Sequence, residues 1–492
     1  MHPRSTIFII IILVIAGFYF RYTGIVKQLS YWNDESHAAI YARGLVEEGR
    51  AVNPAGGTTG LYQSALYAVT AVSFKLFGVS EFTGRLPSVL AGTALILLVY
   101  YVTKKMLDDR IALFASAITS FSQTQLAWST QLRPYIWLEL CAVGVIYFCY
   151  LHIQHRRRFL DWYLLYAFIF TGISFFFHTT GLMNIIIIAL AIIIKSIYEK
   201  KYVWILLLIP VAGLFVGALY LMYHTAFNLI FRFENDTLHY RIFLTQNYKW
   251  LVAGSILGAA LMFRKHRNFA VFLSLSIIAI FAMAIFKIQS NYVRYSLTAF
   301  PLMYILFAAG VFYTIDLINE YIKHSRYTFV IAIVMIGIAL AYPIKKQKIL
   351  LMPQYYYTIN ADMRENPIVD YKTAFAKIED LLKDRRDAVV LDAWNDRVPW
   401  YMPHQRFIFV NRDNKATKDS IYGEEMISTV SQFEKLKQEN RAGVVIVENW
   451  ESQTAPDVQN YFRKTLNHEF DVNNLPYNEN DKWSISIYSW GI

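Results

Sequence analysis

What constrains this chain most is a succession of long apolar runs almost free of charge, each longer than a strand or an ordinary core helix needs. A helix crossing the hydrocarbon core of a bilayer takes about 20 such residues, and in lipid only helices and closed barrels satisfy every backbone N–H and C=O. Candidate helix cores read Ile7 to Phe20, Leu86 to Val102, Ile111 to Trp128, Tyr135 to Ile153, Leu160 to Phe177 and Leu182 to Tyr198. They continue with Val203 to Tyr223, Leu251 to Phe263, Phe269 to Phe286, Tyr295 to Ile315 and Phe329 to Tyr342. The first lacks a small-residue cleavage site, so it reads as a retained helix rather than a signal peptide. A chain of 492 residues that is 56% hydrophobic and only 17% charged has more apolar surface than a soluble core of that size needs. We expect an α-helical polytopic membrane protein with about eleven spans over residues 1–344.

The net charge of +11 would suit a nucleic-acid partner only if the basic residues formed one stripe. Instead they stand in short clusters between apolar runs: Lys104-Lys105, Arg156-Arg157-Arg158, Lys200-Lys201, Arg264-Lys265 with Arg267, and Lys323 with Arg326. That is the pattern of cytoplasmic loops facing anionic lipid, so membrane lipids are expected partners and nucleic acid is not. Leu61 to Phe77 is apolar but interrupted by Lys75. Were it to cross, the Arg156 and Lys200 clusters would be thrown outside, so it is expected to lie along the outer face, with the N-terminus inside and the C-terminus outside. Cys141 and Cys149, the two cysteines, share one apolar run and read as core- or lipid-facing, not as a disulfide or metal site.

Beyond Lys345 the apolar runs shorten to strand length: Ala388 to Leu391, Phe407 to Val410 and Val444 to Val447. Helical stretches alternate with them at Tyr371 to Lys383 and Glu424 to Gln438. This predicts a soluble α/β domain over 345–492 with a largely parallel sheet and a final strand, Trp483 to Tyr488, at its edge.

On this topology the outer helix ends collect a non-random polar set. Asp34, Glu35 and His37 open the first outer loop (27–85), Arg85 precedes the second span, and Arg133 and Tyr135 lie between the third and fourth. Glu139 is one turn deeper, His178 ends the fifth span, and Arg294-Tyr295 opens the tenth. Each has a plainer reading: a lone arginine is more often an interfacial anchor, His178 could cap its helix, and Asp34-Glu35 could simply favour the start of an amphipathic helix over Ser36 to Glu48. Glu139 is harder to set aside, because a carboxylate inside a span needs a partner; Arg133 or Arg85 is expected. Together the set suits a phosphate held by arginine forks beside a carboxylate able to take a proton from a hydroxyl.

These residues carry a resemblance to polyprenyl-phosphate-sugar-dependent glycosyltransferases of the GT-C membrane fold, nearest to protein O-mannosyltransferases and bacterial lipid A aminoarabinose transferases. It covers roughly the N-terminal two-thirds of the chain. Asp34-Glu35-Ser36-His37 resembles the acidic motif of the mannosyltransferases' first outer loop, in which the aspartate is the catalytic base. Leu76-Phe77-Gly78-Val79-Ser80-Glu81 with Arg85-Leu86-Pro87-Ser88 and Gly92, Gln131-Leu132-Arg133-Pro134-Tyr135, and Val293-Arg294-Tyr295 with Pro301 resemble later family motifs. The chain departs from the family where a basic residue usually precedes Pro-Pro-Leu; here Asn53-Pro54 and Gly56-Gly57-Thr58-Thr59-Gly60-Leu61-Tyr62 stand instead. It also has no β-trefoil segment in an outer loop.

The resemblance implies transfer of a sugar from a polyprenyl phosphate donor to a lipid, glycan or protein acceptor on the non-cytoplasmic face of an inner (plasma) membrane. Asp34 would be the base, with Glu35 the second catalytic carboxylate. Arg85, Arg133 and Arg294 would hold the donor phosphate, and Tyr135, Glu139, His178 and Tyr295 would line the substrate site. One base and no evident covalent nucleophile favour inversion. No residues form a dedicated metal set, though the carboxylates leave room for a divalent cation, magnesium or manganese. A lipid-linked sugar flippase and a non-catalytic envelope scaffold are the alternatives; the first would show inverted repeats and broken helices, which the sequence lacks.

Overall fold

The structure, a computed structural model, describes residues 3–27, 30–54, 56–61, 63–155, 161–210, 237–287, 293–321, 369–385, 387–412, 418–419, 425–449, 452–472 and 484–492. It also describes residues 212–213, 216–217, 330 and 333–338. Its first part is a helical bundle. α1 (Pro3–Lys27) is followed by α2 (Asn33–Glu47) and α3 (Ser64–Phe77), then by α4 (Glu81–Met106), α5 (Asp109–Phe121), α6 (Gln123–Ser129), α7 (Tyr135–Gln154), α8 (Trp162–Phe177) and α9 (Asn184–Tyr198). After the undescribed stretch come α10 (Thr237–Asn247), α11 (Lys249–Lys265), α12 (Arg267–Lys287) and α13 (Phe300–Tyr321).

Among the described residues six helical segments are long and apolar enough to cross a membrane: Arg4–Val26, Glu81–Met106, Tyr135–Gln154, Thr179–Tyr198, Arg267–Phe286 and Arg294–Tyr321. Of the about eleven runs expected as spans, these six are continuous at that length; the others are broken, shorter or outside the described residues. The run from Ile111 to Trp128 breaks at Ser122, whose backbone turns to extended (φ −60°, ψ 130°) and whose hydroxyl meets the Tyr304 hydroxyl at 2.9 Å. α8 and α11 are apolar but shorter, with 16 and 17 residues. The run at Val203 opens as a 3₁₀ turn, Tyr202–Leu207, and most of its second half lies outside the described residues, as does half of Phe329 to Tyr342. The Arg156–Arg158 cluster, Lys323 and Arg326 also lie outside them.

The bundle is polarised. α4 runs from Arg85 to Lys104-Lys105, α9 ends before Lys200-Lys201, and α11 ends at Arg264-Lys265, so these basic groups gather at one end. Asp34, Arg85, Arg133, His178 and Arg294 mark the other. α1 arrives at this polar end and α4 departs from it, so α2 and α3 between them stay there without crossing. Close packing comes from small residues: a Cβ on Gly258 of α11 would stand 1.8 Å from the Leu306 carbonyl oxygen of α13. Cys141 and Cys149 are buried as free thiols.

Among the described residues the C-terminal part forms a six-stranded sheet of order β3-β2-β1-β4-β6-β5. Its strands are β1 (Val389–Asp392), β2 (Phe407–Val410), β3 (Met426–Ile427), β4 (Gly443–Glu448), β5 (Asn467–Val472) and β6 (Ile485–Trp490). α14 (Tyr371–Leu381), α15 (Arg397–Tyr401), α16 (Val430–Glu439) and α17 (Pro456–Thr465) accompany them. β1 pairs in parallel with β2 (Val390 opposite Phe407) and with β4 (Val390 opposite Val444). Strands covered on both faces read as unbroken apolar runs, and that is why these were visible in the sequence. The last strand differs from expectation: β6 is buried throughout and lies between β4 and β5, antiparallel to both. The edge belongs to β5, whose polar sequence Asn-His-Glu-Phe-Asp-Val hid it.

Candidate active site

The sequence of α2 explains how its first turn can hold two carboxylates: Asp34 and Glu35 sit where the helix N-terminus favours negative charge, and the Trp32 N–H reaches back to Glu35 Oε2 at 3.5 Å. The two then diverge. Glu35 is fully buried and Asp34 is 26% exposed.

Glu35 and Arg85 form a fork-to-fork pair, Arg85 Nε to Oε1 at 2.8 Å and Nη2 to Oε2 at 2.7 Å. The Leu132 N–H also donates to Glu35 Oε1 at 2.8 Å, and Arg85 Nη2 donates to the Ser30 carbonyl at 2.7 Å. The Arg85 guanidinium further lies 4.7 Å over the Tyr31 ring. A pair this enclosed ties three chain segments together and directs neither charge toward solvent. The expected placement of Arg85 as a phosphate ligand and of Glu35 as a reacting carboxylate therefore does not match where these side chains stand.

Asp34 projects away from that pair, into a ring of cations and aromatic side chains. Arg133 Nη2 stands 2.6 Å from its Oδ2 and Arg294 Nη1 3.7 Å from the same oxygen. Arg133 is held in the short turn before α7, with its guanidinium 5.5 Å over both Trp32 and Tyr135. Arg294 comes from a 3₁₀ turn, Val293–Ala299, entering α13, and lies 5.8 Å over Tyr135 and 5.4 Å over Tyr295. His178 stands in the extended link between α8 and the 3₁₀ turn Thr179–Met183, its ring 5.9 Å from Tyr135 and 6.1 Å from Tyr295. Five of the expected residues besides Asp34 thus converge on one place: Arg133, Tyr135, His178, Arg294 and Tyr295.

The electrostatics follow from this crowding. Burial alone would raise the Asp34 carboxyl, but the Arg133 and Arg294 guanidinia more than offset it and hold it below its ordinary value. Burial, reinforced by Arg133 and Arg294, pushes His178 down to about 3, so its ring is neutral. Nδ1 accepts from the Thr180 N–H at 3.2 Å, which leaves the ring proton on Nε2. The site is thus a carboxylate, two guanidinia and a neutral imidazole framed by aromatic rings.

Glu139 lies apart from it. It is fully buried one turn below Tyr135, and its partner is neither Arg133 nor Arg85 but Gln125 of α6, whose Nε2 donates to Oε2 at 2.5 Å. The cation that interacts with it is Arg21 of α1, bonded to the carbonyls of Gly17, Thr119 and Ser120. Arg21 was missed because one arginine near the end of a first apolar run reads as an interfacial anchor.

The fit of a divalent cation is poor. Glu35 is occupied by Arg85, Asp34 is shared by two guanidinia, and among the described residues no three His, Cys, Asp or Glu side chains converge to hold a metal. An open cavity of about 740 Å³, lined by Gln154, Lys265, His266 and Arg267 among others, lies at the basic end. It is about 30 Å from this site along the 20 residues of α7, so it is not where Asp34 acts.

A family model for dolichyl-phosphate-mannose-protein mannosyltransferases matches residues 65–223. No curated protein sequence matches the chain. Solved structures do so over its length. ArnT from Cupriavidus metallidurans bound to undecaprenyl phosphate superposes with a TM-score of 0.61 at 12% identity, covering 99% of this chain and 98% of that one. The apo oligosaccharyltransferase of Archaeoglobus fulgidus gives a TM-score of 0.60 at 13% identity, covering 97% and 75%. AglB from the same organism, in complex with an inhibitory peptide and a dolichol-phosphate, gives 0.58 at 12%, covering 90% and 69%. The chain has the GT-C membrane fold of these glycosyltransferases, with a C-terminal sheet domain.

Proposed function

We propose that this protein transfers a sugar from a polyprenyl-phosphate donor to a hydroxyl-bearing acceptor on the non-cytoplasmic face of the membrane, with inversion at the sugar carbon. The observation that carries this reading is Asp34, open at the polar end of the bundle and flanked by Arg133 at 2.6 Å and Arg294 at 3.7 Å. The matched family model and the lipid phosphates bound to the similar structures support a donor of this class. The gathering of the described basic clusters at the opposite end supports the sidedness.

In this mechanism the donor phosphate competes with Asp34 for the two guanidinia. Arginine forks hold phosphate well, so donor entry draws Arg133 and Arg294 off the carboxylate. The carboxylate then loses the charges that depress its proton affinity and becomes a stronger base as the acceptor arrives. Asp34 takes the proton from the acceptor hydroxyl, whose oxygen attacks the anomeric carbon from the side opposite the phosphate. The bond from that carbon to the phosphate oxygen breaks, and the two guanidinia neutralise the charge developing on the leaving polyprenyl phosphate. The neutral Nε2–H of His178 donates a hydrogen bond to the sugar or phosphate. Arg85 and Glu35 serve instead as the buried tie that holds α2 in place. No step calls for a divalent cation, since the guanidinia supply the positive charge at the leaving group.

The purified chain in nanodiscs, given polyprenyl phosphates carrying different sugars plus an envelope extract as acceptor source, tests the reading. Free polyprenyl phosphate should be released with one of the sugars and only when acceptor is present. Intact donor in every combination would refute it.

A further inference from the structure

The C-terminal sheet domain meets the bundle at α2, the helix that begins with Asp34 and Glu35. Arg43, toward the other end of α2, donates from Nη2 to the Pro399 carbonyl at 2.6 Å and from Nη1 to the Trp400 carbonyl at 3.1 Å. Its guanidinium lies 5.3 Å over the Trp400 ring, which itself packs against Tyr31 and Phe74 at 5.1 and 6.2 Å. Tyr401 Oη accepts from the Tyr31 N–H at 3.3 Å. On the first turn of α2, Ser36 hydrogen-bonds to the buried carboxyl of Asp396, which also faces His37.

These contacts all come from one segment, and that segment is anchored deep in the sheet. β1 stands between β2 and β4, so the chain leaves β1 in one direction and returns on its other side. Beyond the carboxyl ends of these strands, where such sheets open a crevice, Asp392 ends β1 and Glu448 ends β4. Arg397 fills the crevice, with Nη2 3.1 Å from Glu448, Nη1 3.6 Å from Asp392 and its guanidinium 3.9 Å from the Tyr371 ring. The Trp394 indole donates to the same Glu448 oxygen at 2.7 Å. The turn from Trp394 to Tyr401 is thus locked to the sheet on one side and to α2 on the other.

We infer that the C-terminal domain is a positioning element of the active site, in which Asp396 and the Pro399–Trp400 carbonyls clamp α2 and set the place of Asp34 relative to Arg133 and Arg294. The inference rests on the function proposed above. The Glu35–Arg85 pair pins the first turn of α2 at one point, which still permits the helix to roll. Arg43 lies eight residues on, about 12 Å along the axis, and a second anchor there stops the roll. A side chain reaches about 6 Å from a helix axis, so a roll of roughly 10° would move the Asp34 carboxylate about 1 Å. A displacement of that size can cost about 100-fold in rate while leaving ligand binding nearly intact.

The test uses the full chain in nanodiscs with Arg43→Ala, Arg43→Lys and Asp396→Asn. Two readouts are taken: hydrogen exchange of the α2 amides, and sugar transfer set against affinity for undecaprenyl phosphate. Arg43→Ala should exchange about tenfold faster in α2, the factor that 1.4 kcal/mol of lost tethering carries. Its kcat should fall at least about tenfold, with undecaprenyl-phosphate affinity within about twofold of wild type and an unchanged melting temperature. Arg43→Lys should recover part of both losses, because its ammonium can still donate to one of the two carbonyls; Asp396→Asn, which can still accept from Ser36, should lie between. Unchanged α2 exchange in all three overturns the inference, as does faster exchange with unchanged kcat. If the wild-type protein transfers no sugar, the function fails, and the exchange readout alone decides whether the domain clamps α2.

Discussion

Replacing Glu35 by glutamine separates a structural from a chemical role for the acidic pair. The substitution keeps shape but removes the charge that Arg85 faces in a fully buried setting. The glutamine oxygen can serve only part of what the carboxylate serves now, namely Arg85 Nε, Arg85 Nη2 and the Leu132 and Trp32 N–H groups. One or two donors are left over at about 1–3 kcal/mol each, in line with the roughly 3–5 kcal/mol lost when one side of a buried ion pair is removed. Arg85→Gln should cost a similar amount by stranding the carboxylate. The double variant should cost well under the sum, with a coupling of at least about 2 kcal/mol, because neither charge remains. Equilibrium unfolding in mixed micelles, followed by tryptophan fluorescence, gives all four corners of the cycle. Additive single costs would refute this reasoning. So would single variants of wild-type stability that lose donor binding, since that is what a phosphate-binding Arg85 beside a reacting Glu35 would give.

Other outcomes follow from the same geometry. Arg294→Lys keeps the charge but loses the fork, so donor-dependent rate should fall, and Arg294→Ala should fall about 10- to 150-fold for a charge-assisted contact of about 1.5–3 kcal/mol; equal rates in both, with normal donor affinity, would make Arg294 an interfacial anchor. His178 is neutral in the fold and titrates at 6.5 when unfolded, so its stabilising contribution is whole above that pH and is lost as pH falls toward 3. At pH 5 the loss is about 2 kcal/mol, and unfolding of His178→Gln at pH 7.5 and 5 should lack that increment. For sidedness, cysteines at the exposed positions Lys200 and Ser431 should respectively escape and react with an impermeant thiol reagent in intact cells, the native thiols being buried. The reverse pattern would turn the proposed site to the cytoplasm.

Much of this was legible because each feature acts locally. The apolar runs announce helices, and β1, β2 and β4 announce themselves because both their faces are covered. Asp34, Arg133, His178 and Arg294 could be grouped because each ends or precedes a span, so topology alone delivers them to one side. What escaped was pairing across the sequence. Nothing local says that Arg85 is committed to Glu35 fifty residues earlier rather than to a ligand. Nor does it say that Glu139 answers to Gln125 and Arg21, since an amide and a distant first-helix arginine look no different from their neighbours. The break at Ser122 was invisible in an apolar run that hydropathy treats as continuous. β5 was missed because an exposed edge strand need not be apolar. The docking of Trp394–Tyr401 on α2 joins two folding units, and no periodicity in either one records it.

In the proposed mechanism Asp34 is the base for sugar transfer from a polyprenyl phosphate held by Arg133 and Arg294. The most direct measurement compares wild type with Asp34→Asn in one preparation, for undecaprenyl-phosphate affinity and for single-turnover sugar transfer. Asparagine removes the carboxylate that competes for the guanidinia, so the variant should bind undecaprenyl phosphate at least as tightly as wild type. Its transfer should be slower by about two to four orders of magnitude. Transfer at the wild-type rate, or undecaprenyl-phosphate binding lost together with activity in folded protein, would contradict the account.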